Sequence, residues 1–159
     1  MYLLQKNYET IVVPQKSHLV VVAILPSSPD KDINRFKQLI QEVIRNINQE
    51  SKEPKWELKI LSQDTEDRSP SQNYSTIYGA DIVIAECSEK KANVFYMVGL
   101  AHAFGRPVCS CYREKLGQRV DIPFNVHGRQ SLTYSISTVS KQKAFQNKLK
   151  EWIKKYEQD

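Results

Sequence analysis

Apolar runs and amphipathic stretches alternate along the chain. Residues 18–25 (HLVVVAIL) form a nearly continuous apolar run, which is typical of a strand covered on both faces in a parallel sheet. Apolar side chains then recur at helical spacing across 33–47, and this stripe predicts an amphipathic helix that Asp30 or Asp32 would cap. Residues 56–61 alternate apolar and polar side chains, so they predict a more exposed strand.

The second half of the chain repeats these patterns. Residues 74–79 predict a short helix that ends at its glycine. Residues 81–85 contain three consecutive β-branched side chains and predict a second strand buried on both faces. Asn93 stands where a helix cap is expected, ahead of apolar positions at helical spacing, and residues 108–112 predict the next strand.

The C-terminal part completes the order of elements. Residues 131–136 predict the last strand, and Ser137 or Thr138 would cap a long amphipathic helix after it. Strands and helices alternate throughout, which predicts an α/β fold with a doubly wound, flavodoxin-like parallel sheet of about five strands. We expect a single domain over 17–159, preceded by an N-terminal arm of residues 1–16.

Length and the N-terminus narrow the class of protein. The 159 residues suit one domain with a core of ordinary size. No apolar run approaches the length of a membrane span, and the N-terminal arm lacks the pattern of a signal peptide, so a cytoplasmic protein is expected. Within the arm, Thr10 to Val13 predict an edge strand on the sheet or a contact with a partner protein.

Cysteines and charges disfavour several chemistries. Cys87, Cys109 and Cys111 are odd in number and lie on or near predicted buried strands, which favours reduced structural thiols over disulfides. No histidines with zinc-like spacing accompany them, so no metal site is expected. The net charge of +5 is spread along the chain without an aromatic-rich basic motif, which favours solvated helix faces over nucleic-acid binding.

The carboxyl ends of the strands are where doubly wound sheets bind ligands. The loops after the first and third predicted strands supply polar side chains there, and we predict that Ser27, Ser28 and Ser88 bind a ligand. The five glycines form no Rossmann or P-loop fingerprint, so no cofactor is expected. The polar segment 63–73 is predicted to be a loop at the rim of this site.

Residues 80–108 carry a more specific pattern. The order Ala-Asp-Ile-Val-Ile-Ala, Asn-Val-Phe-Tyr, Gly-Leu-Ala-His-Ala and Gly-Arg-Pro-Val, followed by Asp-Ile-Pro-Phe at 121–124, resembles nucleoside 2-deoxyribosyltransferase-like proteins and the related TIR-like nucleotide-binding domains. The resemblance is specific over 80–134 and topological elsewhere. It implies the doubly wound fold, a nucleoside or nucleotide ligand, and a homo-oligomer in which a neighbouring subunit completes the pocket.

Two positions depart from the family pattern. In the family, a glutamate usually follows the Asn-Val-Phe-Tyr order and its carboxylate breaks an N-glycosidic bond, whereas here that position is Met97. A thioether cannot form a glycosyl ester or stabilise an oxocarbenium-like transition state. The preceding strand usually ends in aspartate, and here it ends in Glu86. If another carboxylate has taken over catalysis, Glu86 and Glu89 are the candidates.

Three side chains of the same helix are further ligand-binding candidates, and each has a structural alternative. Asn93 would hold a ribose hydroxyl or a phosphate beside exposed helix N–H groups, or it caps the helix. Tyr96 and Met97 would touch a base or ribose, or they belong to the core.

The resemblance leaves three hypotheses of function. The first is a nucleoside- or nucleotide-binding domain that does not efficiently cleave its ligand. The second is an active N-glycosidase or deoxyribosyl transferase that acts on a nucleoside, a nucleotide or NAD through Glu86 or Glu89. The third is a non-enzymatic assembly subunit that contacts another protein through its surface and the N-terminal arm.

Overall fold

A computed structural model of the chain describes residues 18–50, 56–62, 70–115, 117–118, 120–123 and 130–157. The N-terminal arm, including the strand predicted at 10–13, and the rim segment 63–69 lie outside the described residues.

Five strands and four helices alternate in this part of the chain. The strands are β1 (Leu19–Leu25), β2 (Trp56–Ser62), β3 (Ile82–Glu86), β4 (Val108–Arg113) and β5 (Ser131–Tyr134). The helices are α1 (Lys31–Glu50), α2 (Pro70–Tyr78), α3 (Ala92–Ala103) and α4 (Val139–Lys154).

The strands form one sheet in the order β2-β1-β3-β4-β5, and every neighbouring pair is parallel. This confirms the predicted doubly wound, flavodoxin-like fold. The chain leaves β1 toward β2 on one side and later returns to place β3 on the other side, so the strand order reverses between β1 and β3. The β1–α1 loop (residues 26–30) and the β3–α3 turn (residues 87–91) flank this switch point. Crevices for ligands form at such points in doubly wound sheets.

Alternating side chains of the strands build one apolar cluster on each face of the sheet. Ile82 and Ile84 pack with α1 and α4, and this side is called the α1/α4 face. Val83 and Ala85 pack with α2 and α3, on the α2/α3 face. Since successive side chains of a strand point to opposite faces, Glu86 follows Ile82 and Ile84 onto the α1/α4 face.

Helix caps follow the prediction at two of three positions. The Asp30 carboxylate accepts a 2.9 Å hydrogen bond from the backbone N–H of Asp32, and the Thr138 hydroxyl accepts one of 3.2 Å from Lys141. The predicted cap at Asn93 is wrong, because α3 begins at Ala92 and its cap residue is Lys91, whose side chain makes no capping bond.

The early start of α3 has a local cause. The backbone N–H of Lys90 donates to the Cys87 carbonyl at 3.2 Å, and Lys90 adopts a left-handed conformation with φ of 50°. This tight turn directs the chain into the helix before Asn93 is reached. Asn93 is therefore an exposed residue of the first turn.

Two further boundaries differ from the prediction. Helix α2 begins at Pro70 rather than at residue 74, so residues 70–73 are helical and not part of a loop. Proline is favoured in the first turn of a helix, where its missing N–H costs nothing, but the polar residues after it hid the helical period. Strand β5 ends at Tyr134 rather than at residue 136. There the Ser135 hydroxyl accepts a 3.4 Å bond from the backbone N–H of Ser137, which turns the chain out of the sheet.

Strand β2 lies at an edge of the sheet, which agrees with the prediction of a more exposed strand. Its side chains alternate between buried or half-buried and exposed over most of its length. The Asn48 side chain binds both backbone groups of Trp56, with its Oδ1 2.8 Å from the Trp56 nitrogen and its Nδ2 2.9 Å from the Trp56 oxygen. This amide takes the place of a strand neighbour at the start of β2.

Within the described ranges, the helices are too short or too polar to cross a membrane.

Candidate functional site

Glu86 ends β3 at the carboxyl edge of the sheet, and its side chain is only 1% exposed. Its Oε1 atom accepts hydrogen bonds from the Ser88 hydroxyl, from the Ser88 backbone N–H at 3.3 Å and from the Tyr134 hydroxyl at 3.0 Å. Its Oε2 atom is buried and has no hydrogen-bond partner among the described residues. A buried carboxylate oxygen without a donor is costly. Because Oε2 is enclosed, a ligand hydroxyl would reach it only if the β3–α3 turn moved.

Burial and hydrogen bonding act in opposite directions on Glu86. Burial raises the pKa of the Glu86 carboxyl, while the bonds from Ser88 and Tyr134 and the nearby Arg113 charge partly offset that rise. The pKa of Tyr134 is raised by its own burial and by the Glu86 charge. The phenol therefore keeps its proton and serves as a hydrogen-bond donor to the carboxylate.

Arg113 connects three segments at the same edge. Its side chain is 8% exposed, and its Nη1 atom lies 2.9 Å from Oδ2 of Asp30 and also binds Asp32. Its backbone N–H donates a 2.6 Å bond to the Ser88 hydroxyl. The end of β4 is thereby tied to the β1–α1 loop and to the β3–α3 turn, and these segments form the walls of the switch point.

Asp30 is held ionised by this arrangement. The hydrogen bond from the Asp32 backbone N–H lowers the pKa of Asp30 most, and the hydrogen bond from Arg113 lowers it further. The sequence presented Asp30 only as a helix cap. Its second role becomes visible once the fold brings the end of β4 beside α1.

The predicted serines lie at this edge. Ser27 and Ser28 are half-buried in the β1–α1 loop, and the Ser28 hydroxyl accepts a 3.3 Å bond from the backbone of Asp30. Ser88 is half-buried and bridges Glu86 and Arg113. The three serines therefore occupy the two segments that flank the switch point, and their role in binding stays a prediction.

Glu89 has a different environment from Glu86. Its side chain is 20% exposed, and its carboxylate lies 3.6 Å from the ammonium of Lys91 within the same turn. The pair joins a half-buried carboxylate to an exposed ammonium two residues away.

The residues predicted on α3 lie away from Glu86. Met97 is 7% exposed and packs into the apolar cluster on the α2/α3 face, whereas the Glu86 side chain lies on the α1/α4 face. Tyr96 is 58% exposed, and its hydroxyl lies 2.9 Å from that of Tyr74 on α2. Asn93 is exposed in the first turn. The structure therefore brings Glu86 together with Ser88 and separates it from Met97 by the sheet.

Arg113 and Tyr134 were missed by the sequence reasoning. Each ends a strand of the structure. Arg113 directly follows the predicted strand 108–112, and a charge at the carboxyl end of an apolar strand is a usable signal in a fold whose ligands bind at that edge. Which of these strand-end side chains lie next to each other depends on the order of the strands in the sheet. The register places Arg113 opposite Tyr134.

The cysteines are buried side chains of the two cores. Cys87, Cys109 and Cys111 are all free and buried. Burial raises the pKa of the Cys87 thiol to about 12, so it is protonated and a poor metal ligand at neutral pH. Across the described ranges, no group of His, Cys, Asp or Glu side chains is arranged to hold a metal ion.

Comparisons with known proteins support the architecture. No protein-family model and no curated protein matches the sequence. Among solved structures, the CMP N-glycosidase BcmB of Clostridium botulinum is similar with a TM-score of 0.50 and 18% identity, over 83% of this chain and 98% of that chain. Elongation factor SelB of Methanococcus maripaludis, solved with the GTP analogue GPPNHP, is similar with a TM-score of 0.50 and 11% identity, over 89% of this chain and 34% of that chain. At these identities the likeness shows a shared fold, since one fold hosts many functions.

Proposed function

We propose that this domain binds a nucleoside or nucleotide at the carboxyl edge of the sheet and does not efficiently cleave it. The observation that carries the proposal is the buried Oε2 atom of Glu86, which lacks a donor at the switch point between β1 and β3. A ribose hydroxyl is a donor of the required kind, and it would reach this enclosed atom through a movement of the β3–α3 turn. Ser27 and Ser28 on one side of the crevice and Ser88 on the other supply further polar contacts.

Two independent likenesses agree with such a ligand. The order of residues over 80–124 resembles nucleoside 2-deoxyribosyltransferase-like and TIR-like proteins. The full length of a CMP N-glycosidase shares the fold of this chain. Both agree with a nucleoside or nucleotide ligand at the carboxyl edge of the sheet.

The absence of efficient cleavage rests on where the carboxylates and Met97 lie. Met97 holds the position of the family glutamate, and a thioether does not act as a nucleophile toward a glycosidic carbon in the manner of a carboxylate. Glu86 is almost fully buried and engaged by Ser88 and Tyr134, so a substrate carbon reaches it only if the β3–α3 turn moves. Glu89 is half-buried and paired with Lys91.

The test combines binding with product analysis. Purified protein is titrated with nucleosides, nucleoside monophosphates and NAD while the melting temperature is followed, and each mixture is analysed for free base by chromatography. A true ligand at 100 times its Kd adds about 2.7 kcal/mol to the free energy of unfolding. Glu86→Gln places an amide where the acceptor stood and weakens binding roughly tenfold. Glu151→Gln, an exposed carboxylate on α4, serves as the matched control and leaves binding unchanged.

The same measurements can also show that the domain is an assembly subunit and not a ligand-binding domain. If no nucleoside or nucleotide shifts the melting temperature, while the mass measured by light scattering grows with concentration, the domain is an assembly subunit and the binding proposal fails.

An active N-glycosidase is the second candidate, and the raised pKa of Glu86 favours it. A carboxyl group at the end of a strand whose pKa is raised by burial suits a general acid. This candidate predicts that the unaltered protein releases free base and that Glu86→Gln abolishes the release, while Glu89→Gln retains it. If free base is still released by Glu86→Gln but not by Glu89→Gln, the catalytic carboxylate is Glu89.

A further inference from the structure

A small cavity of about 150 Å³ opens beside the β3–α3 turn, and its wall holds Tyr112 and Val120 as well as polar side chains. Its lining includes Ser88 and Lys90 from that turn, Arg113 from the end of β4, and Lys115, Gln118 and Asp121 from the segment after β4. A water molecule takes up roughly 30 Å³ in the liquid, so the cavity has the volume of about five waters. It is too small for a whole nucleotide, since pockets for ligands of that size start at roughly 300 Å³.

Lys90 lines this cavity, and its backbone has a left-handed conformation that is energetically unfavourable for lysine. Lys90 has a φ of 50°, the only positive value among the described residues other than glycine. This conformation is unfavourable for a side chain with a Cβ atom and is common only for glycine, asparagine and aspartate. Strained backbone persists where the surroundings impose it, and it is concentrated at binding sites.

The charges around the cavity leave cationic donors available. The ammonium of Lys90 pairs with the carboxylate of Asp121, whose side chain is 78% exposed. A lysine ammonium has three donors, so this pair leaves two for another acceptor. Lys115 adds a second ammonium, and it lies near enough to Asp30 to lower the pKa of that carboxyl. Arg113 is already neutralised by Asp30 and Asp32.

We propose that this cavity takes the phosphate group of the ligand, with Lys90 and Lys115 as its cationic partners, so that the domain recognises a nucleoside monophosphate in preference to a nucleoside. The inference rests on the proposed function, in which the sugar and base bind at the carboxyl edge of the sheet beside Glu86. Ser88 belongs to both places, since it binds Glu86 and lines the cavity. One ligand therefore spans the two with its ribose at Glu86 and its phosphate at Lys90.

Calorimetric titration separates the phosphate from the nucleoside. The probes are cytidine, uridine, adenosine and guanosine, their 5′-monophosphates, and inorganic phosphate alone. We expect the preferred monophosphate to bind at least about tenfold more tightly than its nucleoside, which is the worth of one charge-assisted hydrogen bond. This preference should decrease with added salt.

Variants assign the preference to the cavity. Lys90→Asn removes the charge and keeps a residue that tolerates the left-handed conformation, so the monophosphate loses about tenfold in affinity while the melting temperature does not fall. Lys90→Arg retains the charge and most of the preference. Lys115→Gln gives a smaller loss, and Lys148→Gln, an exposed lysine on α4, gives none. The nucleoside binds all four variants like the unaltered protein.

The outcomes distinguish the two proposals. Equal affinity for nucleoside and monophosphate, or a preference that survives both Lys90→Asn and Lys115→Gln, overturns the phosphate assignment and leaves the proposed function standing. Binding of inorganic phosphate that depends on Lys90, without binding of any nucleoside or nucleotide, keeps an anion site in the cavity and overturns the proposed function. No binding of any probe overturns both.

Discussion

The Tyr134 hydroxyl donates a 3.0 Å hydrogen bond to Oε1 of Glu86, and both side chains are at most 1% exposed. Tyr134 lies on β5 and Glu86 on β3, with β4 between them in the sheet. The bond therefore passes across β4 and fastens the short edge strand β5 to the centre of the sheet.

Removing this hydroxyl should destabilise the domain. Tyr134→Phe takes a donor from a buried carboxylate, and we expect the free energy of unfolding to fall by about 1–3 kcal/mol. Urea denaturation measures the loss. Tyr156→Phe, a half-buried tyrosine that packs on Trp152, is the matched control and should change stability by less. Equal effects of the two changes would show that the Glu86 bond contributes nothing of its own.

Stability should fall as pH rises through the titration of Glu86. Because burial raises its folded-state pKa, the folded protein holds this proton more tightly than the unfolded chain does. The resulting stabilisation is complete below the unfolded value of about 4.3 and is lost as pH rises through the folded pKa.

Glu86→Gln removes this dependence on pH. Urea midpoints measured from about pH 4 upward should fall less steeply for Glu86→Gln than for the unaltered protein. Glu151→Gln should retain the original slope, since that residue is exposed on α4. Parallel curves for the unaltered protein and Glu86→Gln would show that Glu86 is ionised normally.

Asp30 should titrate below its ordinary range, and only part of this shift should depend on Arg113. The backbone N–H of Asp32 is the main cause of the lowered pKa, and Arg113 comes second. In Arg113→Gln, the Asp30 carboxyl followed by NMR should move toward its ordinary pKa without reaching it. Arg35→Gln, which breaks the pair with Glu42 on α1, should leave it unmoved. Since the folded pKa is lowered, stability from Asp30 is lost only as pH falls below about 4.

The thiols should be unreactive in the folded protein. Cys87, Cys109 and Cys111 are buried, and burial raises the pKa of Cys87 to about 12, which leaves almost no thiolate at neutral pH. A disulfide reagent should therefore label none of them before unfolding and all of them in denaturant. Ser140→Cys, at an exposed position of α4, supplies a reactive reference. Prompt labelling of a native cysteine would contradict the burial.

Met97 should accept an apolar replacement and reject a charged one. Met97→Leu conserves volume and should cost less than about 1.5 kcal/mol. Met97→Glu places a carboxyl group in the apolar cluster on the α2/α3 face and should cost roughly 2–4 kcal/mol. Denaturation of the two variants at neutral pH gives the comparison, and similar stabilities would show that the side chain at this position reaches solvent.

The sequence predicted the sheet well because parallel strands buried on both faces leave a direct signal. The apolar run of β1 and the alternation of β2 identified a central and an edge strand. Asn93 was misjudged because a preference for caps does not reveal a left-handed residue such as Lys90, which starts the helix early. The start of α2 was missed because its first residues are polar and carry no period.

The sequence predicted which residues lie at the candidate site but not which of their side chains contact one another. The positions of Ser27, Ser28, Ser88 and Glu86 follow from the rule that ligands bind at the carboxyl edge. The neighbours of Glu86 do not follow from it. Tyr134 binds Glu86 directly and Arg113 is joined to it through Ser88, and both relations depend on the strand order and on the face that each strand presents. Separation of Glu86 from Met97 likewise depends on which helices cover which face.

The burial of Met97 also bears on how this position can change over generations. No single-base change joins the methionine codon to a glutamate codon, so a carboxylate arises there only by way of an intermediate residue. The intermediate Met97→Val fits the apolar cluster, whereas Met97→Lys would bury an ammonium in it. Selection for a folded protein therefore disfavours the lysine intermediate. A lineage that regains a glutamate at this position is expected to pass through valine.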